Sequence, residues 1–585
     1  MATASYDVVI VGGGTAGLVL AARLSEDPNL VVAVLEAGED EMSKPQFLTP
    51  AMWPLLANSS ADWAFRTAPQ EGLGGKELTF SQGRALGGSS ALNSYLFTPT
   101  SKLNVDAWSQ LGNKGWDWPT FEKSVRKSCT LHKLDSTTVG DGPVQLNVSD
   151  SGSGWTKVWT DTLDTLGFPL EDPFSGRVSG SLIIPQSVDP VKKQRSCSAN
   201  TYLTAASTRA NLTVLTGATA TKILLESTSP GSIVAGGVQY VRNGMTETVK
   251  AHKEVVLAAG TINSPRLLEL SGIGGSDLLR SLGIDVVIDN PYVGENLQNH
   301  VVTGVTFEIR DDEETLDPLL RKDPAATAAA IEAYRRGAGP LASSNIVASA
   351  QLPLPSKDID ELLSVMENTK HAQVTQNCTR AFASVHESFI RAVLTDPKEA
   401  SGVYLAAPAY SPFDSDNPAY RPPGNHFSIV LSLAHPLSRG SVHITSSEPD
   451  SARGNGGLVI NPRYLSHPLD LEVLALHIRF IDESICHAEP LASRLKDPQK
   501  KLFTDMRAAR DYVKRTSKGQ THYMGTCSMM SRELGGVVDE KLRVYGCPNL
   551  RVCDASIVLI IPRTNAQATV YGVAEMAASL IKESL

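Results

Sequence analysis

Short runs of consecutive β-branched and aliphatic residues punctuate this chain, and such runs predict buried strands of a parallel sheet. The first is Tyr6 to Val11, followed at once by Gly12-Gly13-Gly14-Thr15-Ala16-Gly17 and a helical pattern over Leu18 to Leu24. A second, Val31 to Leu35, ends in Glu36. A third, Val255 to Ala259, runs into Gly260-Thr-Ile-Asn-Ser-Pro265. That junction predicts a helix capped by Ser264 with Pro265 at its first position. Phe427 to Leu433 and Gly440 to Thr445 alternate and read as sheet strands. Ala325 to Arg335 reads as a helix closed by Gly337-Ala-Gly-Pro340, and Ala566 to Leu580 as another. No internal repeat or low-complexity tract interrupts the pattern, and no apolar run approaches the ~18 residues a bilayer requires.

The first strand, the glycine run and the helix together make Gly-x-Gly-x-x-Gly in its informative context, with an acid about 20 residues further on. Gly12 permits the tight turn, Gly14 lets the backbone approach a pyrophosphate, and Gly17 lets the helix pack against the strand. N–H groups at the helix start, where Thr15 and Ala16 lie, would meet the phosphate charge. Glu36 would accept hydrogen bonds from ribose hydroxyls and repel a 2′-phosphate, which leaves FAD or NAD. The fingerprint alone does not separate them.

Composition narrows the field by exclusion. The 585 residues are 42% hydrophobic and 20% charged, with 53 Lys+Arg against 62 Asp+Glu and a formal charge of -9. A core of ordinary proportions is affordable at this length, so disorder is excluded. The acidic balance argues against nucleic acid as a partner. Seven cysteines form no Cys-x-x-Cys pair, and histidines and carboxylates show no metal spacing, so neither a disulfide framework nor a metal site is predicted. The first residues lack a basic n-region, which predicts a cytoplasmic protein unless a leader precedes this chain.

Further stretches of the chain bear on the choice through the resemblance they carry. Gly83-Arg84-Ala85-Leu86-Gly87-Gly88-Ser89-Ser90-Ala91-Leu92-Asn93 is a backbone-rich loop able to lie against a ring or a phosphate. Val293-Gly-Glu-Asn-Leu-Gln-Asn-His300 follows the Gly260–Gly274 segment. The C-terminal block runs from Gln520-Thr521-His522 through Asp554-Ala555 to Asn565-Ala-Gln567. In order and approximate spacing these motifs resemble glucose–methanol–choline (GMC) oxidoreductases, from about Tyr6 to Glu575, and least so between residues 310 and 510.

The resemblance implies an α/β, Rossmann-like FAD-binding domain (α+β overall) with an inserted substrate domain on a largely antiparallel sheet. The motifs put residues 1–100, 200–310 and 525–585 in the first and 101–199 and 311–524 in the second. It implies FAD contacts from Arg84, Gly87, Gly88, Ser89 and Asn93, from Ala220 on the adenine side, and from Asp554, Ala555 and Gln567. Some relatives attach FAD through a histidine of the Gly83–Asn93 loop. Here Ala91, Leu92 and Asn93 stand in that region, so non-covalent FAD is expected.

Oxidising an alcohol requires a base near the hydroxyl and a second polar group to hold its oxygen. The family places a His first and a His or Asn roughly forty residues later; by motif these are His522 and Asn565, with Gln567 the alternative for the second. The implied reaction is FAD-dependent oxidation of a small alcohol or secondary-metabolite substrate, as in fungal members, with oxygen or another acceptor taking the electrons. The competing reading is a non-redox, dehydrative cyclisation on the same scaffold. Thr521 lacks the aromatic character that would favour aryl-alcohol gating. His300 reads as structural support, and Trp116 and Trp118 as core packing.

Overall fold

The computed structural model describes residues 4–148, 154–177, 179–229, 231–346, 348–356, 359–369, 379–415, 417, 419–448 and 454–585. Cys378 lies outside them; the six cysteines within them are free and buried. No helix among the described residues is long and apolar enough to cross a membrane.

Two sheets organise the chain. The first has seven strands, in the order Thr219–Ser229, Ser232–Arg242, Met245–Leu257, Ala4–Val11, Val32–Leu35 and Leu212–Leu215, with Leu550–Val552 joining Met245–Leu257 off that path. Ala4–Val11 runs parallel to both its neighbours, and Val8, Val9 and Ile10 are wholly buried, as the unbroken apolar run requires. The thirteen residues of Met245–Leu257 outreach a single neighbour. Their first part pairs antiparallel with Ser232–Arg242, and Val255–Leu257 pair parallel with Leu550–Val552. The ends of the chain therefore meet in one sheet.

The second sheet has six strands, in the order Lys518–Gly519, Val301–Ile309, Asn425–Leu433, Gly402–Ala407, Ala348–Leu352 and Gly180–Ile183. Every pairing in it is antiparallel. Val301–Ile309, which the motifs group with the cofactor segments, pairs in this sheet instead.

One local expectation is corrected. The strand ends at Leu257 and the helix spans Gly260–Leu270, so Ser264 and Pro265 lie inside it rather than at its start. The start is set from 294 residues away, where the Asp554 carboxylate accepts from Gly260 N (2.8 Å) and from the Ser264 hydroxyl (2.6 Å). Proline inside a helix leaves the carbonyl four residues back without its usual donor. That carbonyl belongs to Thr261, and the Thr526 hydroxyl donates to it at 2.6 Å.

Buried ion pairs fix the C-terminal segments, the helix Ala566–Lys582 and the strand Leu550–Val552. Its Glu575 accepts from Arg23 of the Thr15–Leu24 helix (2.7 Å) and from the Tyr202 hydroxyl (2.7 Å). Arg551, fully buried, holds Glu254 through two hydrogen bonds of 3.0 and 3.1 Å. Removing one partner of such a pair leaves an uncompensated buried charge. Arg551→Leu is therefore expected to destabilise the protein by about 3–5 kcal/mol, read as a lower urea midpoint. Adding Glu254→Leu to it should recover much of the loss.

Candidate functional site

A single elongated cavity of about 350 Å³ runs from the glycine turn to His522. At one end it is lined by Gly12, Gly14, Thr15, Ala16, Glu36 and Ala220, and along its middle by Gly88, Ser89, Asp554 and Ala555. Asn93, Gln567, Asn565 and His522 line the other end, with Leu96 and Trp53. Gly17, Arg84 and Gly87 lie behind this wall.

The glycine turn is built by close approach. Gly12 has φ +110°, and a Cβ there would sit 2.3 Å from Ala258 O. At Gly17 a Cβ would lie 1.9 Å from Gly12 O, so helix and turn are in backbone contact. Gly14 differs: a Cβ there would meet nothing nearer than 3.7 Å, because its free side faces the cavity. No side chain caps the helix that starts at Thr15, so its leading N–H groups are left for a ligand.

Glu36 is buried beside them and accepts from Gly13 N and Gly38 N, each at 2.8 Å. Burial pushes its carboxyl up to about 7, against the pull of those two N–H groups. Each carboxyl oxygen accepts one backbone N–H, which fixes the group in place on the cavity wall.

The loop from Gly83 lies backbone to backbone on this turn. Gly87 N donates to Gly13 O at 2.8 Å, and a Cβ on Gly88 would be 2.7 Å from Gly14 Cα. Arg84 stacks on the cavity-lining Trp63, 5.3 Å from the ring centre. Asn93 is oriented by a residue that sequence reasoning missed. Buried Arg195 donates to the Asn93 side-chain oxygen (2.8 Å), leaving the Asn93 amide to donate to Gln567 Oε1. Gln567 Nε2 then remains buried without a protein partner on the cavity wall. Arg195 sits in no recognisable motif, so nothing in the sequence marks it.

The far end holds His522. Its backbone N donates to Asn299 Oδ1 (2.9 Å), Gln298 and Met524 exchange backbone hydrogen bonds of 2.8 and 3.0 Å, and Gln520 N donates to His300 O. Thr521 adopts φ +42°, a strained conformation for a β-branched residue, immediately before the histidine. The run ending in His300 is thus the clamp on the His522 loop. His300 Nδ1 lies 2.8 Å from His522 Nδ1, a contact that the reading of His300 as support did not anticipate.

On its other side, His522 Nε2 lies 3.3 Å from Asn565 Nδ2. Asn565 occupies the N-cap of Ala566–Lys582, yet its side chain makes no capping hydrogen bond and points to His522 instead. Gln567, the alternative partner, is turned towards Asn93. Burial holds the His522 imidazole well below its usual value.

Comparison with known proteins gives the family of the chain. The GMC oxidoreductase N-terminal family model matches residues 6–302 and the C-terminal one residues 436–574. The GMC oxidoreductase family protein Mala s 12 of Malassezia sympodialis is 34% identical, spanning 99% of this chain and 92% of its own. Dehydrogenase citC of Monascus ruber is also 34% identical, over 99% of this chain and 96% of its own. Among solved structures, an FAD-dependent oxidoreductase from Chaetomium thermophilum superposes with a TM-score of 0.86 at 25% identity, covering 99% of each chain. These relatives indicate FAD as the cofactor. The residues present fit it: a side-chain-free face at Gly14, a buried acid at Glu36, and an unsatisfied amide at Gln567. By its family models, its relatives and its fold, the chain belongs to the GMC oxidoreductases, a family of flavin-dependent oxidases and dehydrogenases.

Proposed function

We propose that this enzyme oxidises a CH–OH group of a small organic molecule to a carbonyl, with His522 as base and Asn565 as the group that holds the oxygen. The observation that carries the reading is the pairing of His522 Nε2 with Asn565 Nδ2, 3.3 Å apart on the cavity wall. A hydroxyl seated between them would pass its proton to Nε2 and keep the Asn565 N–H as donor to the developing alkoxide. When bound, FAD supplies the hydride acceptor. Gly12, Gly14, Thr15 and Ala16 would hold its diphosphate, Glu36 its ribose and Ala220 its adenine side. Gly88, Ser89, Asn93, Asp554, Ala555 and Gln567 would line the path to the flavin. Arg84, Gly87 and Gly17 act from behind, shaping the loops. The Gly83–Asn93 loop carries no histidine, cysteine or tyrosine, which supports non-covalent FAD. Denaturation should then release all the flavin into the supernatant.

Because burial lowers the His522 pKa, the base stays unprotonated to lower pH than a free imidazole. The acidic limb of kcat/KM is therefore expected below the ordinary histidine value of 6.5, with a flat profile through neutrality. A limb at or above 6.5 contradicts the assignment.

The deciding experiment mixes the enzyme anaerobically with a panel of alcohols, follows bleaching of the flavin absorbance, then adds oxygen and assays peroxide. Bleaching by one class names the substrate, and peroxide identifies oxygen as acceptor. Product without bleaching would overturn the redox reading in favour of a cyclisation.

A further inference from the structure

We propose that His300 is a positioning residue that fixes the tautomer of His522, keeping a proton on His522 Nδ1 and leaving Nε2 as the lone-pair nitrogen. The proposal deepens the base assignment above and rests on it for its kinetic arm only.

The argument starts from two carbonyls. His300 Nε2 lies 2.9 Å from Pro562 O and 3.1 Å from Ala434 O. Carbonyl oxygens only accept, so Nε2 carries the N–H. A neutral imidazole has one N–H, which makes His300 Nδ1 a lone-pair acceptor. Neutrality follows from the surroundings. His300 is buried, and His435, itself buried, stands near it. The Arg563 guanidinium, paired with Glu399 at 3.4 Å, adds positive charge beside His435. Burial pushes the His300 imidazole down to about 4. His522 Nδ1, 2.8 Å away, must then be the donor, so its proton sits on Nδ1.

A second neighbour points to the same tautomer. Asn565 presents its amide Nδ2 to His522 Nε2 at 3.3 Å, with its side-chain oxygen on the side of the Thr564 hydroxyl, 3.4 Å away. An N–H facing Nε2 requires a lone pair there. Histidine in water prefers the opposite form, with the proton on Nε2, so the protein reverses an intrinsic preference.

The arrangement also suits the reaction. The substrate proton would go to Nε2 while the Nδ1 proton stays in place, and no other bond changes on His522. The resulting imidazolium would keep its N–H bond to a neutral acceptor, and a hydrogen bond from a charged donor is the stronger kind. Pro562 lies on the segment leading to Asn565, so His300 ties together the two loops that bring base and amide face to face.

The test uses FAD-loaded enzyme with 15N-labelled histidine and long-range 1H–15N correlation at neutral pH, His522 being assigned from the signals lost in His522→Gln. The proton is expected on Nδ1 in the parent and in His300→Asn, whose amide oxygen stands where His300 Nδ1 accepts. His300→Leu is expected to move it largely to Nε2 and to lower kcat/KM by about 10- to 100-fold, with most of that loss regained in His300→Asn. A parent spectrum with Nε2 protonated would overturn the proposal. So would His300→Leu that keeps both the Nδ1 proton and its kcat/KM within about threefold of the parent. Should His300→Leu fail to fold, the parent spectrum still decides. If His522 proves not to be the base, the tautomer remains readable, so the two readings fail separately.

Discussion

Anaerobic flavin reduction by the alcohol substrate is expected to slow by about 10²- to 10⁴-fold in His522→Ala, with FAD content unchanged. The size of the effect follows from what the side chain would do and from how firmly it is held. A general base contributes within that range when it is positioned at hydrogen-bond distance from the proton it takes. His522 is held on three sides: its backbone N by Asn299 Oδ1, Nδ1 by His300 and Nε2 by Asn565. A water filling the vacated space would be oriented by Asn565 and His300, but it is a far weaker base than an imidazole. FAD content should not change, because the glycine turn, Glu36 and the Gly83–Asn93 loop are untouched. The paired measurement is flavin absorbance per protein and the rate of its anaerobic bleaching. A variant that bleaches at the parent rate removes His522 from the base role.

The glycine turn provides the second large effect, and it separates folding from cofactor binding. Gly12→Ala would place a methyl 2.3 Å from Ala258 O and 2.7 Å from its carbonyl carbon, at φ +110°. Neither neighbour is free to retreat. Ala258 N donates to Val11 O at 2.8 Å, and Val9, Ile10 and Val11 are in register with Val255, Val256 and Leu257. Strain in the backbone and overpacking therefore add, at a cost expected to exceed about 3 kcal/mol. Little folded, flavin-loaded protein should be recovered.

Gly14→Ala makes only ordinary van der Waals contacts within the protein, with Gly88 Cα at 3.7 Å and Ala258 O at 4.0 Å. That variant should melt like the parent as apoprotein and yet lose FAD, since its methyl occupies the face a pyrophosphate would approach. Equal flavin content in Gly14→Ala and the parent would remove the phosphate assignment from this turn. A stable, loaded Gly12→Ala would show that the turn relaxes more easily than its contacts imply.

Much of the fold was legible because the informative segments are local. Val8, Val9 and Ile10, the glycine run and Leu18 to Leu24 specify a strand, a turn and a helix within 24 residues, and each contact among them is short-range. The helix boundary at Gly260 was misread for the opposite reason. Its cap is Asp554, far along the chain, so the local Ser-Pro signal was outweighed by a tertiary hydrogen bond. Asn565 shows the same limit in reverse. Its position predicts a helix cap, but the tertiary fold uses its amide on His522.

The sequence by itself determined the family resemblance and the dinucleotide-type glycine turn, and through that resemblance it pointed to FAD, to His522 and to Asn565 or Gln567. It did so because motifs are carried by residue type and order along the chain. Only the tertiary structure decided that His300 touches His522, that Arg195 orients Asn93, and that the His522 loop is clamped by the Gln298–His300 run. Those relations depend on strand register and on distance between segments more than 100 residues apart, such as Asn93 with Arg195 and His300 with His522. No periodicity in the chain encodes that register. It is set only when the chain folds and most buried polar atoms find a partner within about 3 Å on a distant segment.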